Sequence, residues 1–304
     1  KIKMTQDELD KIICSLDDEE LKGISTNDIN FNPNEIITFL ATNGDFQSSS
    51  SLVYNLFKKL LIVKYAVHYE RYSSVSEIIG VKVDFPFISM GAINSRHFFG
   101  IDEILIYDFY KRNRSKYSKV CDIGCNVGLH SKILCELGYQ VDSYEPDKTH
   151  AEISKKYLKG YKNNTFYQKA VSSYSGKATF TRVLNNTTGS YINDKKESFG
   201  PTEKYEVEVI DAKDLSNKYD LIKMDIEGSE ADVLSALEVS TFDKTDIIAE
   251  VSTSETRVIL WDLFNRLELP VYAQKIGWRR ISGLDDLPTS HREGSIFISK
   301  RNIF

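Results

Sequence analysis

The chain of 304 residues is long enough for one large α/β domain with an appendage, or for two modest domains. With 41% hydrophobic and 27% charged residues it has the make-up of a globular protein, and a formal net charge of −5 gives no broad pull toward nucleic acid or an anionic membrane. No apolar run approaches the roughly 20 residues of a membrane span, no signal-peptide pattern is present, and the four cysteines (Cys14, Cys121, Cys125, Cys135) form no CxxC pair, so a cytoplasmic protein with reduced thiols is expected.

In chain order, residues 1–95 read as an N-terminal helical region. Thr5 and Glu8 form a capping box ahead of Leu9, Ile12, Ile13 and Leu16 at helical spacing. A second helix is expected to start at Pro33 and to carry Ile36, Ile37 and Leu40. After the loop "FQSSSS" a longer amphipathic stretch places Leu52, Leu56, Leu60 and Val63 on one stripe. These stripes suit a core or a homo-oligomer face rather than a ligand site.

From about residue 117 strands and helices alternate. "KVCDIG", "YQVDSYE", "NTFYQKAVSS", "YDLIKMDI" and "DIIAEVS" read as buried strands. "GLHSKILCEL", "PDKTHAEISKKYL", "SEADVLSALEV" and "ETRVILWDLFNRLEL" read as helices. This predicts an α/β fold over 96–304, a doubly wound, mainly parallel sheet with helices on both faces. "GKATFTRV" and "EKYEVEVID" suggest an inserted antiparallel hairpin, and "GSIFISK" a last strand returning antiparallel to the edge.

The first strand–helix junction, "CDIGCNVGLH", sets Asp122, Gly124, Asn126 and Gly128 in a D-x-G-x-N-x-G turn. Glycines there admit a ligand close to backbone, and the following helix offers free N–H groups and a positive dipole end. A nicotinamide dinucleotide would want a glycine where Asn126 stands. The second strand ends in Glu145, where an acid can hold two ribose hydroxyls. A ribose-bearing ligand without a pyrophosphate points to S-adenosylmethionine.

The segment "LIKMDIEGSEADVL" closes a strand with Asp225 and Glu227. Side chains two apart on a strand share a face, so both acids could look into one cavity. The competing reading makes Asp225 a cap for the next helix.

These segments together resemble the FkbM-type methyltransferases. The likeness runs from about Val120 to Glu250 and rests on "CDIGCNVGLHS", "SYEPD", "KAVSS" and "IKMDIEGSEADVL". The last matches the family's K-x-D-x-E-G-x-E signature at Lys223, Asp225, Glu227, Gly228 and Glu230. The resemblance implies a class I, Rossmann-like methyltransferase that uses S-adenosylmethionine and acts on a hydroxyl, often of a sugar or a glycosylated natural product. Its acceptors would be sugars, nucleotide-sugars or glycans. Asp122, Gly124, Asn126, Gly128, Glu145, Ala170, Val171 and Asp225 are carried over as cofactor-binding positions, with Ser173 standing where an acid is frequent.

Methyl transfer needs a near-linear approach and a destination for the hydroxyl proton. Asp225 and Glu227 are the catalytic candidates, joined by Glu250 at the end of the next strand and by His130 one turn into the first helix. Three such acids could instead hold a divalent metal that acidifies the hydroxyl, a reading not favoured. His97, and Arg279 and Arg280 beside Trp278, are further acceptor contacts to examine. A nucleic-acid methyltransferase is less suited, since the chain lacks N-P-P-[YF] and a basic face. A non-catalytic module would have had no reason to keep every acid of "DIEGSE".

Overall fold

The computed structural model describes residues 32–48, 50–61, 74–193, 200–251 and 253–301. The expected first helix, with its capping box at Thr5, lies outside these residues, as do Cys14 and Val63.

The chain opens with α1 (Pro33–Thr42), whose start is fixed by proline in the first turn and by the Asn32 side chain accepting from the Asn34 N–H. Ile36, Ile37 and Leu40 are its buried face, as their spacing predicts. In α2 (Leu52–Leu61) the buried side chains are Tyr54 and Leu61, whereas Leu52 is exposed. Of the expected stripe, Leu60 packs against the core while Leu52 does not. The Tyr54 hydroxyl reaches Asp102 at 2.7 Å, which turns the helix so that the aromatic faces inward. Between them and the rest of the chain stands an antiparallel hairpin, β1 (Ser74–Ile78) with β2 (Val81–Pro86), inside the region expected to be helical. Val81, Val83 and Phe85 alternate with exposed residues and are buried, the signature of a half-covered strand.

The α/β part begins with α3 (Ile101–Arg112) and continues as β3 (Lys119–Ile123), α4 (Leu129–Glu136), β4 (Gln140–Tyr144), α5 (Lys148–Leu158) and β5 (Asn164–Tyr167). Here the expected third strand breaks. β5 stays in the main sheet, but Ala170–Ser172 (β6) leaves it to pair in parallel with β9 (Thr202–Asp211). β9 also runs antiparallel to β7 (Gly176–Val183), which pairs with β8 (Tyr191–Ile192), so the expected hairpin is the centre of a second, four-stranded sheet. The chain returns through β10 (Leu221–Met224), α6 (Glu230–Ala236), β11 (Asp246–Glu250), α7 (Ser254–Arg266), β12 (Val271–Ala273), β13 (Arg279–Arg280) and β14 (Ser295–Ile298).

The main sheet has the order β13-β12-β14-β11-β10-β3-β4-β5, parallel from β11 to β5. β14 is antiparallel, as expected, but lies between β11 and β12 rather than at the edge. Strand periodicity splits the core around the main sheet in two. Val120, Val141, Leu221 and Ile248 share a cluster with α1, α3, α4 and β2. Cys121, Ile123, Ile222 and Ala249 share another with α6 and α7. Burial on both faces explains the apolar residues Leu221, Ile222 and Met224 of β10 and Ile247, Ile248 and Ala249 of β11, with Lys223 the buried exception in β10. Among the described residues no helix is long and apolar enough to cross a membrane.

Candidate active site

The carboxyl ends of β3, β4, β10 and β11 open into one cavity of about 340 Å³, within the 300–1,000 Å³ usual for small-molecule sites. Its floor includes Gly124, Asn126, Glu145, Asp225 and Glu250. Ala170, Val171, Phe180 and Ile192 of the second sheet form a wall. Ile93, His97 and Phe98 close it from the segment before α3.

The glycine turn is built around the end of β4. The Tyr144 carbonyl accepts from the N–H groups of Gly124 and Cys125 at 2.9 and 3.0 Å. Gly124 sits at φ +76°, and a Cβ there would stand 1.9 Å from the Asp225 carbonyl oxygen, so only glycine lets β3 and β10 end this close together. Asn126 also has positive φ, 53°. Its N–H donates to Glu145 Oε2 at 2.8 Å and its carbonyl accepts from Ser154 Oγ at 2.6 Å, while its side-chain Oδ1 is buried without a partner. Glu145 Oε1 accepts a second backbone bond, from Asp147 at 2.7 Å. Burial dominates over these bonds and pushes the Glu145 carboxyl up to about 8.

Asp122 and Gly128 do not line the cavity. Asp122 is fully buried beneath the turn, where Ser131 Oγ donates to it at 2.6 Å. Gly128, at φ +89°, makes room for Ser154. Both shape the turn rather than face a ligand.

His130 is placed differently from the expectation that it meets the reacting groups. It is buried behind Glu103, with Nε2 2.8 Å from Glu103 Oε2 and Nδ1 3.1 Å from the Tyr110 hydroxyl. The side chain that reaches the cavity is Glu103, a residue sequence reasoning passed over. Nothing in "GIDEIL" marks it, since its partner lies 27 residues away in α4.

In the segment "DIEG" the strand ends at Met224, and Glu227 takes a left-handed φ of 55° followed by Gly228 at 104°. The two acids thus do not share a strand face; a turn delivers both into the cavity. The turn is held by Glu230, a fully buried carboxylate that accepts from the Gly228 N–H at 3.0 Å and the Ile226 N–H at 3.3 Å. Organising this loop is therefore the work of Glu230, which leaves Asp225 for something else. Asp225 lies 3.5 Å from the buried Lys223 ammonium and is hydrogen-bonded to Glu250, which requires a proton between the two carboxyls.

Burial alone would raise Asp225, but Lys223 and the bond from Glu250 hold it below its ordinary value. Glu250 goes the other way, pushed well up by burial and by the Asp225 charge. The acid with the raised pKa is thus Glu250 and not Asp225. For Lys223, burial acts to lower its pKa, and the carboxylates of Asp225 and Asp122 outweigh it and raise it. Lys223 belongs to the quoted signature, yet its role was not legible because its second partner, Asp122, is its neighbour across the β10–β3 ladder.

Among the described residues no three or more His, Cys, Asp or Glu side chains are grouped to hold a metal ion. His97 lines the cavity. Arg279 and Arg280 do not, being exposed on β13 at the far edge of the sheet, and Trp278 Nε1 bonds Gln47 at 2.5 Å.

Among solved structures, a methyltransferase FkbM from Methylobacillus flagellatus is 12% identical, with a TM-score of 0.39 and coverage of 87% of this chain and 58% of that one. The O-methyltransferase segment of StiE is 17% identical, TM-score 0.33, covering 56% and 53%. A precorrin-6Y C5,15-methyltransferase from Geobacter metallireducens is 12% identical, TM-score 0.35, covering 64% and 88%. The chain thus spans less than two thirds of the first two structures. No curated protein matches it. The family described as the methyltransferase FkbM domain matches residues 103–267, from Glu103 of the cavity through α7. That match takes in more than half of the chain, which belongs to the FkbM methyltransferase family.

Proposed function

We propose that the chain is an S-adenosylmethionine-dependent O-methyltransferase whose acceptor is a hydroxyl of a sugar, glycan or glycosylated small molecule. One arrangement carries this reading: a single cavity with the Glu145 carboxyl at the end of β4 and the Asp225–Glu250 pair at the ends of β10 and β11. The residues fit the cofactor. Protonated near neutral pH, Glu145 can donate to one ribose hydroxyl and accept from the other beyond its two backbone bonds. The orphaned Asn126 Oδ1 offers an acceptor in the glycine turn, and Ala170 and Val171 give an apolar wall.

S-adenosylmethionine bound there would supply an electrophilic methyl group. The protein's own residues do the rest. Asp225, kept ionised by Lys223, accepts a hydrogen bond from the acceptor hydroxyl and so orients its oxygen. A carboxylate so stabilised is a weak base, and the proton reaches it late, as the oxygen loses electron density to the new bond. Glu250, neutral, holds Asp225 in position, and Glu227 adds reach from the turn.

Calorimetry with S-adenosylhomocysteine and with NAD, followed by methyl-transfer assays against glycosides, tests this reading. Binding of NAD in preference to S-adenosylhomocysteine would refute it. A chelator separates the metal-assisted alternative: activity is expected to survive it, and a loss restored by magnesium would move the proton's destination to an ion.

A further inference from the structure

The cavity has a marked asymmetry of charge. Glu103 enters it from α3, Asp225 and Glu227 from the turn after β10, and Glu250 from β11; Glu250 is neutral and Asp225 faces the Lys223 ammonium at 3.5 Å, while Glu103 and Glu227 add further negative charge. Among the described residues lining it no arginine occurs, and the single lysine, Lys169, lies 2.9 Å from Glu208 in an ion pair. The phosphates of a nucleotide-sugar would meet no guanidinium here, the group that most often binds them. Glu103 is about one-third exposed, and its bond to His130 fixes how its carboxylate is presented. Ser229, 1% exposed, also lines the cavity, and its Oγ has no hydrogen-bond partner.

Resting on the reading above, we propose that the acceptor carries a protonated amine beside the hydroxyl that is methylated, as in an amino sugar, and that Glu103 and Glu227 bind that ammonium while Ser229 Oγ serves a neighbouring hydroxyl. A nucleotide-activated acceptor is disfavoured by the same geometry. After burial, the charges of Asp225, Glu227 and Glu103 all act to raise the proton affinity of Glu250. With Glu250 neutral and Asp225 facing Lys223, Glu103 and Glu227 are the two acids left to meet a second cation besides the sulfonium. An ammonium with three donors suits several carboxylates at once.

The test is titration calorimetry of the full chain, saturated with S-adenosylhomocysteine, using three probes: methyl 2-amino-2-deoxyglucoside, methyl glucoside and glucose 1-phosphate. The amine is expected to bind at least about tenfold more tightly than the neutral glycoside, as charge-assisted hydrogen bonds imply, with the phosphate weakest. That preference should shrink in Glu103→Gln and in Glu227→Gln, and with added salt. Equal binding of amine and neutral probes, tighter binding of the phosphate, or no binding of the amine overturns the proposal. The three titrations are repeated without S-adenosylhomocysteine, so a protein that ignores the cofactor refutes the cofactor reading while the amine preference is judged separately.

Discussion

Asp225, just past the end of β10, and Glu250, at the end of the neighbouring parallel β11, are shifted in opposite directions, and Lys223 decides which of them keeps the proton. The ammonium lies 3.5 Å from Asp225, so the negative charge resides there and the proton on Glu250. Asp225→Asn removes the charge while keeping the shape. Turnover should fall by roughly 10²–10⁴-fold, the span of a lost general base, with S-adenosylhomocysteine affinity little changed. Glu250→Gln keeps a neutral donor facing Asp225 and should cost far less than Glu250→Ala. Steady-state kinetics on the three variants checks this order, and near-normal turnover of Asp225→Asn would remove Asp225 from the mechanism.

Glu145 links binding to pH. Its carboxyl has an ordinary value of 4.5 and is lifted by burial to about 8, so between these values the native state keeps a proton that the unfolded chain releases. Its contribution to stability therefore falls as pH rises from about 4.5 to about 8 and is level beyond. Glu145→Gln should gain thermal stability relative to the wild type across that window. His150 has the opposite sign. Burial lowers it from 6.5 to about 4, so its contribution is whole above 6.5 and is lost as pH falls through that interval. Melting curves of the ligand-free protein from pH 4 to 9 read both, and a Glu145→Gln difference that is flat with pH would contradict the buried-acid account. Glu145→Ala should also weaken S-adenosylhomocysteine by roughly 1–3 kcal/mol.

Gly124→Ala forces a Cβ into the Asp225 carbonyl at a positive φ. The left-handed backbone alone costs about 1–2 kcal/mol and the overlap adds to it, so the urea midpoint should drop and S-adenosylhomocysteine binding be lost. Gly228→Ala is the control: its added Cβ meets nothing within 4 Å, and only the backbone strain at φ +104° remains.

Glu230→Ala leaves the Gly228 and Ile226 N–H groups without their carboxylate, at a cost of about 1–3 kcal/mol. Because this carboxylate shapes the turn that carries Glu227, turnover should fall more than stability alone explains. Glu230→Gln retains an acceptor oxygen and should recover part of both. Unchanged kinetics in Glu230→Ala would show that the turn holds its shape without it.

The alternation of β3, β4, β10 and β11 with their helices was legible because strands buried on both faces are rich in apolar residues, as with Val120, Cys121 and Ile123 of β3 and Ile247, Ile248 and Ala249 of β11. The glycine turn was legible because positive φ leaves few choices of residue. The hairpin at 74–86 was missed although Val81, Val83 and Phe85 alternate, since a six-residue strand after a long amphipathic stretch reads as its continuation. β6 was merged with β5 because only Gln168 and Lys169 separate them, and the change of sheet is dictated by β9, far along the chain. Glu103 and Lys223 were illegible as functional groups for one physical reason: what gives each its role, His130 or Asp122, comes from another segment.

The roof of the cavity is joined by main chain. Ala92 N–H donates to the Asn185 carbonyl at 2.6 Å and Thr187 N–H to the Met90 carbonyl at 3.0 Å, and Gly91 lies so close to Asn185 that a Cβ would stand 2.3 Å from its oxygen. Peptide groups are the same whatever side chains they bear. Ile93, His97, Thr188 and Tyr191, which line the cavity around this seam, can therefore be exchanged without unpicking it. A closure of this kind leaves the lining side chains free to differ while the backbone seam stays, with Gly91 as the one position that has to be kept.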